Sequence, residues 1–331
     1  MNVLSLFDGM SCGQIALNQL GFKVDNYFAS EIDKDSMKIA KKNFPNTQHI
    51  GDVTKVKGNE LPKIDLLIGG SPCQGFSFAG KQLNFNDPRS ALFFEFVRLL
   101  KETNPKYFLL ENVRMKKECQ NVISEYLGIQ PILINSSLVS AQSRNRLYWT
   151  NIPNVTLPED KGILLKNILE ENVDSKYDLS EAKIDRVLNT QRGKGFFYSS
   201  NTHDKIGTLI AGYHKVPTDG AYIACGALRG RYYDENGKRT DHKESVAGKT
   251  TQMLEIRKDN KTNTLTTVQK DNVIVKDTIF RKLTPTECER LQTIPDGYTK
   301  GVSNTSRYKM LGNGWTVDVI AHIFKNMNEL S

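Results

Sequence analysis

Over the first 150 residues, short apolar runs alternate with stretches whose apolar positions recur at helical spacing. The runs at 3–7, 64–69, 107–110, 132–134 and 147–150 are too short for helices and read as strands. Between them, residues 14–20, 36–43, 90–101 and 118–126 carry the helical pattern. Strands alternating with helices of this length predict an α/β fold, a Rossmann-like, mostly parallel sheet with helices on both faces. Ligands of such sheets bind beyond the carboxyl ends of the strands, so the residues that follow each strand are the ones to read for chemistry.

From about residue 152 the pattern changes. Helical stretches at 164–172 and 180–190 lead into a polar, glycine-rich region that runs to about 277, with Asn236-Gly237 as a hairpin-turn signal. Short β runs at 222–224, 252–256 and 272–275 lie among these turns. Gly207-Thr-Leu-Ile-Ala211 is echoed by Asn263-Thr-Leu-Thr-Thr267, but two copies do not make a repeat architecture. Helical pattern returns at 284–291 and 317–328. The expected organisation is one domain formed by 1–152 together with 282–331, and a smaller loop-rich β domain, 153–281, inserted into it.

Composition narrows the class. With 331 residues, 38% hydrophobic and 25% charged, the chain has ordinary globular composition, which argues against a disordered chain, a fibre or a membrane bundle. No apolar stretch reaches the 18 residues of a membrane span, and the N-terminus meets Asp8 without a basic region, unlike a signal peptide. Cys12, Cys73, Cys119, Cys225 and Cys288 are scattered and form no CxxC pair, and the histidines add no metal-ligand spacing. A reduced, cytoplasmic protein without metal is expected. Lysine and arginine exceed aspartate and glutamate by 45 to 37, a net charge of +8 that favours a polyanionic partner, nucleic acid first. Solubility alone would produce the same balance.

The first strand ends in Phe7-Asp8-Gly9-Met10-Ser11-Cys12-Gly13 and opens a helix. A glycine turn there lets a helix N-terminus approach a nucleotide-like ligand, although the spacing is not GxGxxG and a plain tight turn would look similar. Glu31 follows about 20 residues on, where an acid binds a ribose diol, and Asp52 of Gly51-Asp52-Val53 is placed to accept from an adenine amine. Each acid alone could be a helix cap. Together with the turn they imply an adenosine-containing cofactor without a pyrophosphate. The fourth strand runs into Ser71-Pro72-Cys73-Gln74-Gly75-Phe76-Ser77. This loop would expose Cys73 as a candidate nucleophile, whereas the other cysteines fit small buried core residues. Next comes Glu111-Asn112-Val113, whose carboxyl, at the end of an apolar strand, is partly desolvated; that favours its protonated form, or a structural hydrogen bond. In Gln142-Ser-Arg144-Asn-Arg146 two arginines project to one side of extended chain, suited to a phosphate or a planar polar edge; a solvated pair would look the same.

These pieces occur in a fixed order with Leu283-Thr-Pro-Thr-Glu287, Arg290-Leu-Gln292 and Leu311-Gly-Asn313. The set closely resembles the DNA cytosine-5 methyltransferase family over residues 3–155 and again over 282–328. Leu4-Ser-Leu-Phe-Asp-Gly9, Leu92-Phe-Phe-Glu-Phe96, Val139-Ser-Ala141 and Gly312-x-x-Trp315 are similar to the de novo eukaryotic class. The Pro-Cys-Gln-Gly-Phe-Ser loop and the long insert resemble bacterial and phage enzymes, so a prokaryotic or phage origin is expected.

The resemblance implies S-adenosylmethionine as cofactor, released as S-adenosylhomocysteine, with no metal. Phe7, Asp8, Gly9, Met10, Glu31, Ile32, Asp52, Val53, Leu92, Asn313 and Trp315 would surround it. It implies a Cys73 thiolate adding to C6 of cytosine, a protonated Glu111 at N3, methylation at C5, and loss of the C5 proton with expulsion of the cysteine. Arg144 and Arg146 would hold the base O2 and the nearby backbone, with Pro72, Gln74, Ser77, Asn112 and Gln142 completing the substrate side. The target base must be flipped out of the duplex. Double-stranded DNA is the implied partner of a monomeric enzyme, with a cognate restriction endonuclease in the same cell.

The segment 153–281 takes the family's target-recognition position, where Arg186, Arg192, Arg229 and Arg231 are candidates for reading guanine edges. Its 21 basic against 18 acidic residues do not set it apart from the remaining 24 against 19. The sequence departs from many relatives at Ser11-Cys12, where a glycine pair is common, at Gly314, where serine is common, and at Asp318, where proline is common. Alternatives are a tRNA cytosine methyltransferase of the same family and a catalytically idle DNA- or cofactor-binding regulator. A dinucleotide oxidoreductase fits less well because the glycine spacing is wrong.

Overall fold

A computed structural model of the chain describes residues 1–71, 88–180, 182–183, 197–198, 205–216, 222–225, 228–231, 251–254 and 279–327. Seven strands form one sheet: β1 (Asn2–Leu6), β2 (Asn26–Ser30), β3 (Gln48–His49), β4 (Leu66–Gly69), β5 (Tyr107–Val113), β6 (Ile132–Asn135) and β7 (Asn145–Thr150). Their order is β3-β2-β1-β4-β5-β7-β6. The pairs from β3 through β5 are parallel, while β7 runs antiparallel to both β5 and β6. The α/β reading holds, with one strand reversed because residues 136–144 double back too tightly for a helical crossover. The chain winds one way from β1 to β3 and the other way from β4 to β5, leaving a crevice at the β1/β4 switch point.

Both faces of the sheet are covered, which is why its strands read as unbroken apolar runs. Val3, Tyr27, Leu66, Ile68 and Leu109 point to one side and share a core with Ile15 and Ala16 of α1 (Cys12–Gln19) and Ile39 of α2 (Lys34–Asn43). Leu4, Leu6, Leu67 and Leu110 point to the other and pack on Phe93 and Phe96 of α3 (Pro88–Thr103) and Ile123 of α4 (Lys117–Leu127).

The expected helix at 164–172 is a single turn, α5 (Leu165–Ile168), because Leu169 turns to extended backbone. The strand β8 (Phe197–Tyr198) pairs with β9 (Tyr222–Cys225), and β10 (Leu228–Arg231) pairs with β11 (Thr251–Leu254). Most of the expected helix at 180–190 and the β run at 272–275 lie outside the described residues. A last strand, β12 (Ile279–Arg281), joins β9 and leads the chain into α6 (Pro285–Leu291), α7 (Asn304–Asn313) and α8 (Val317–Phe324). Thr284 and Glu287 close a reciprocal cap around Pro285 at the start of α6. Helix α7 was not foreseen. Its polar sequence Asn-Thr-Ser-Arg-Tyr-Lys carries little helical periodicity, and it is held by burial of Tyr308, Met310 and Leu311.

Residues 205–216, from the middle of the presumed insert, are built into the first core. Ile206, Leu209, Tyr213 and Val216 are buried in it. Tyr213 stacks on Tyr222 at 5.6 Å, meets Tyr308 edge-on at 5.4 Å and accepts a hydrogen bond from the Leu283 amide. The Lys205 ammonium donates to the carbonyls of Ser137, Ser140 and Ile163 at 2.9, 3.2 and 2.5 Å. At Gly312 a side chain is impossible, since a Cβ would lie 2.3 Å from the Ala211 nitrogen.

Candidate active site

At the switch point a cavity of about 680 Å³ opens, within the range of nucleoside-sized ligand sites. Its floor begins where β1 ends. Phe7, Gly9 and Ser11 all adopt left-handed backbone, with φ of 57°, 59° and 65°, so the chain folds tightly before α1. For Phe7 and Ser11 that conformation costs roughly 1–2 kcal/mol each. The turn is held by Asp8, whose carboxylate accepts from the Tyr27 hydroxyl at 2.8 Å and from the Ser11 hydroxyl. Burial pushes the Asp8 carboxyl up to about 6, with the Ser11 and Tyr27 hydrogen bonds acting against it. Asp8 thus borders the cavity but anchors the turn with its side chain.

Glu31, just past β2, is fixed by three main-chain N–H groups: Gly9 on Oε2 at 2.8 Å, and Ile32 and Asp33 on Oε1 at 2.7 and 2.8 Å. Asp52, past β3, caps the turn Val53–Lys55 by accepting from the Thr54 amide and hydroxyl through Oδ1, which leaves Oδ2 open. Ile32 is 73% exposed, an apolar side chain standing at the cavity rim. Phe7, Gly9, Met10, Glu31, Ile32, Asp52, Val53, Leu92, Asn313 and Trp315 all line this one cavity. The rim formed by Asp33 and Lys309, paired at 2.6 Å, carried no signal in the sequence because its halves are 276 residues apart.

The far end of the cavity is built by β4, β5 and β7. Glu111 sits at the buried end of β5, and Arg146 of the antiparallel β7 places Nε 2.9 Å from its Oε1. Trp315 Nε1 donates to Oε2 of the same carboxyl at 3.1 Å. Asn112 donates to the Ser71 hydroxyl and carbonyl at 3.3 and 3.4 Å, tying β5 to the chain beyond β4. Pro72, Cys73, Gln74 and Ser77 lie outside the described residues.

Arg144 lines the cavity, but its guanidinium is engaged by the protein, as is the Gln142 side chain. The Arg144 guanidinium, 3% exposed, donates to the carbonyls of Leu209, Gly312 and Gly314 at 3.0, 3.1 and 3.0 Å. Burial, then the neighbouring Arg146, lowers it to about 10. Gln142 does not line the cavity; it is fully buried, donating to the Leu291 carbonyl and accepting from the Leu209 amide at 2.7 Å. Beside them Gln292, quoted in the sequence motif without a role, donates to the Leu311 carbonyl at 2.6 Å and accepts from the Thr316 hydroxyl at 2.9 Å. Cys12, Cys119 and Cys288 are buried free thiols, and burial raises the Cys12 thiol to about 12. Among the described residues no group of three or more histidines, cysteines and acids is placed to hold a metal ion, and no helix is long and apolar enough to cross a membrane.

A family model for C-5 cytosine-specific DNA methylases matches residues 1–329. The chain belongs to that family and is a DNA cytosine-5 methyltransferase, for which S-adenosylmethionine is the implied methyl donor. It is 31% identical over 354 residues to the type II methyltransferase M1.ScrFI of Lactococcus lactis subsp. cremoris, spanning 99% of this chain and 78% of the relative. It is 32% identical over 355 residues to the type II methyltransferase M.HpaII of Haemophilus parainfluenzae, spanning 98% and 88%. Among solved structures, the methyltransferase EhMeth of Entamoeba histolytica shares the fold with a TM-score of 0.72 at 19% identity, over 99% of both chains.

Proposed function

We propose that this enzyme methylates C5 of a cytosine flipped out of a short double-stranded DNA site, using Cys73 as nucleophile and Glu111 to engage the base. The observation that carries this reading is the position of Glu111, at the buried end of a cavity whose other end is lined by Glu31 and Asp52. The cavity accommodates S-adenosylmethionine: Asp52 Oδ2 and the lone pairs left on Glu31 suit an adenine amine and a ribose diol, and Ile32 offers an apolar face to the purine. When bound, the cofactor supplies the methyl group.

The chain's own residues do the rest. C5 of neutral cytosine is a poor nucleophile until C6 is saturated, so the Cys73 thiolate adds at C6. Glu111 delivers a proton toward N3, which makes C6 electrophilic, and Arg146, 2.9 Å from the carboxyl, balances the negative charge that the transfer leaves on it. Removal of the C5 proton after methylation re-forms the double bond and expels the thiolate. A stacked base cannot reach the cavity, so flipping costs a few kcal/mol, offset by contacts to DNA. Residues 153–281, apart from the stretches 163–179 and 205–216 that are packed into the first core, are the candidates for target recognition.

Bisulfite sequencing of host DNA after expression of the wild type and Cys73→Ala tests the reading. Cytosines protected in one short context, and unprotected with the variant, are expected. Protection that persists with Cys73→Ala removes Cys73 as nucleophile. A stable covalent complex between the wild type and 5-fluorocytosine DNA is the companion result.

A further inference from the structure

We propose that Trp315 positions Glu111, holding the carboxyl from the cofactor side through its indole N–H; this rests on the reading of Glu111 as the group that engages the base. Trp315 Nε1 lies 3.1 Å from Glu111 Oε2, opposite the Arg146 guanidinium on Oε1. The contact exists because β4 is followed by glycine. A Cβ on Gly70 would stand 3.0 Å from Trp315 Nε1 and 3.1 Å from Glu111 Oε2, so any side chain there would press on both partners.

The loop carrying the indole is pinned on its far side. Arg144 binds the carbonyls of Gly312 and Gly314, Gln292 binds those of Leu311 and Gly314, and the Val317 amide donates to the Gln292 carbonyl. Trp315 therefore has little freedom to follow a moving carboxyl. Because the ring also lines the cavity beside Met10 and Cys12, it forms a wall shared by the cofactor half and the acid. The charged and titratable groups facing Glu111 are Arg146 and Tyr148 on β7 and Arg144 immediately before it. Trp315 adds a neutral donor, and a donor to a carboxylate favours its ionised form.

Replacing the indole by an aromatic ring without N–H separates positioning from cavity lining. In Trp315→Phe, kcat should fall about tenfold, while KM for S-adenosylmethionine stays within about threefold, the size expected for loss of one hydrogen bond to a charged group. A second readout needs no turnover: the Trp315 fluorescence, isolated as the difference between wild type and Trp315→Phe, should step to a new value when Glu111→Gln alters the indole's hydrogen-bond partner. A rise in KM with an unmoved kcat, or a difference fluorescence indifferent to Glu111→Gln, overturns the proposal and leaves Trp315 as cavity wall only. Full turnover by Glu111→Gln would instead remove the catalytic reading, and the fluorescence step would still decide whether Trp315 holds the carboxyl.

Discussion

The two ends of the cavity treat their acids differently. Beside β1, β2 and β3 the donors to Glu31, Asp8 and Asp52 are neutral, main-chain amides on Glu31, hydroxyls on Asp8 and Thr54 on Asp52, while the charged pair Asp33–Lys309 stands at the rim. Beside β5 and β7, Glu111 meets a guanidinium and an indole. Neutral backbone donors fix a carboxylate without cancelling its charge, which suits a ligand that is itself cationic, as a sulfonium cofactor is. A guanidinium partner is a charge that can be redirected, which suits a carboxyl whose proton must move during a reaction. The difference extends to the two arginines at the entry to β7. They stand two residues apart, yet Arg144 is saturated by protein carbonyls while Arg146 faces the acid.

That last contrast gives the largest expected effect. Arg144→Ala leaves three buried carbonyls without a donor and should cost about 3–5 kcal/mol of stability in chemical denaturation. Arg146→Ala leaves a single carboxylate that borders the cavity, so it should cost less stability than Arg144→Ala yet lower turnover at least a hundredfold. Equal destabilisation by both would erase the distinction.

The Asp8 end offers a pH test. With its carboxyl raised to about 6 from an ordinary 3.8, the folded state binds a proton that the unfolded state releases earlier. This contribution is fully present below about pH 4 and is lost as pH rises to 6, at most about 3 kcal/mol. The stability advantage of the wild type over Asp8→Asn should therefore shrink between pH 4 and pH 7, read from denaturant midpoints. A gap that stays flat would mean that Asp8 does not titrate in that window. The smallest effect belongs to Glu31→Gln, which should weaken S-adenosylhomocysteine binding about tenfold by calorimetry with DNA affinity unchanged. A loss shared equally by DNA would show that the two ends are not separable.

The acids of the cavity were legible in the sequence for a topological reason: parallel strands deliver their carboxyl ends to one edge, so Glu31, Asp52 and Glu111 had to converge. Their exact partners were not. Main-chain amides hold Glu31, and amides carry no side-chain signature. The carbonyl partners of Arg144 and Gln142 were not legible either, because a donor for a base edge and a donor for a buried carbonyl are the same chemical group. Helix α7 escaped notice because its stability comes from tertiary burial of Tyr308 and Leu311, not from periodicity. The stretch 205–216 looked like any glycine-punctuated loop, and only Gly312, a hundred residues away in sequence, reveals how closely it is seated.

That seating constrains how such a chain can be rebuilt. Exchanging the whole span 153–281 for that of a relative would tear out Leu209, Ala211 and Tyr213 together with the ammonium of Lys205, and so unmake the floor under Asn313 and Trp315. A chimera should keep the host's 163–179 and 205–216 as fixed crosspieces and splice the donor's loops around them. The natural unit of exchange is thus a set of separate inserts between retained host segments, not one cassette.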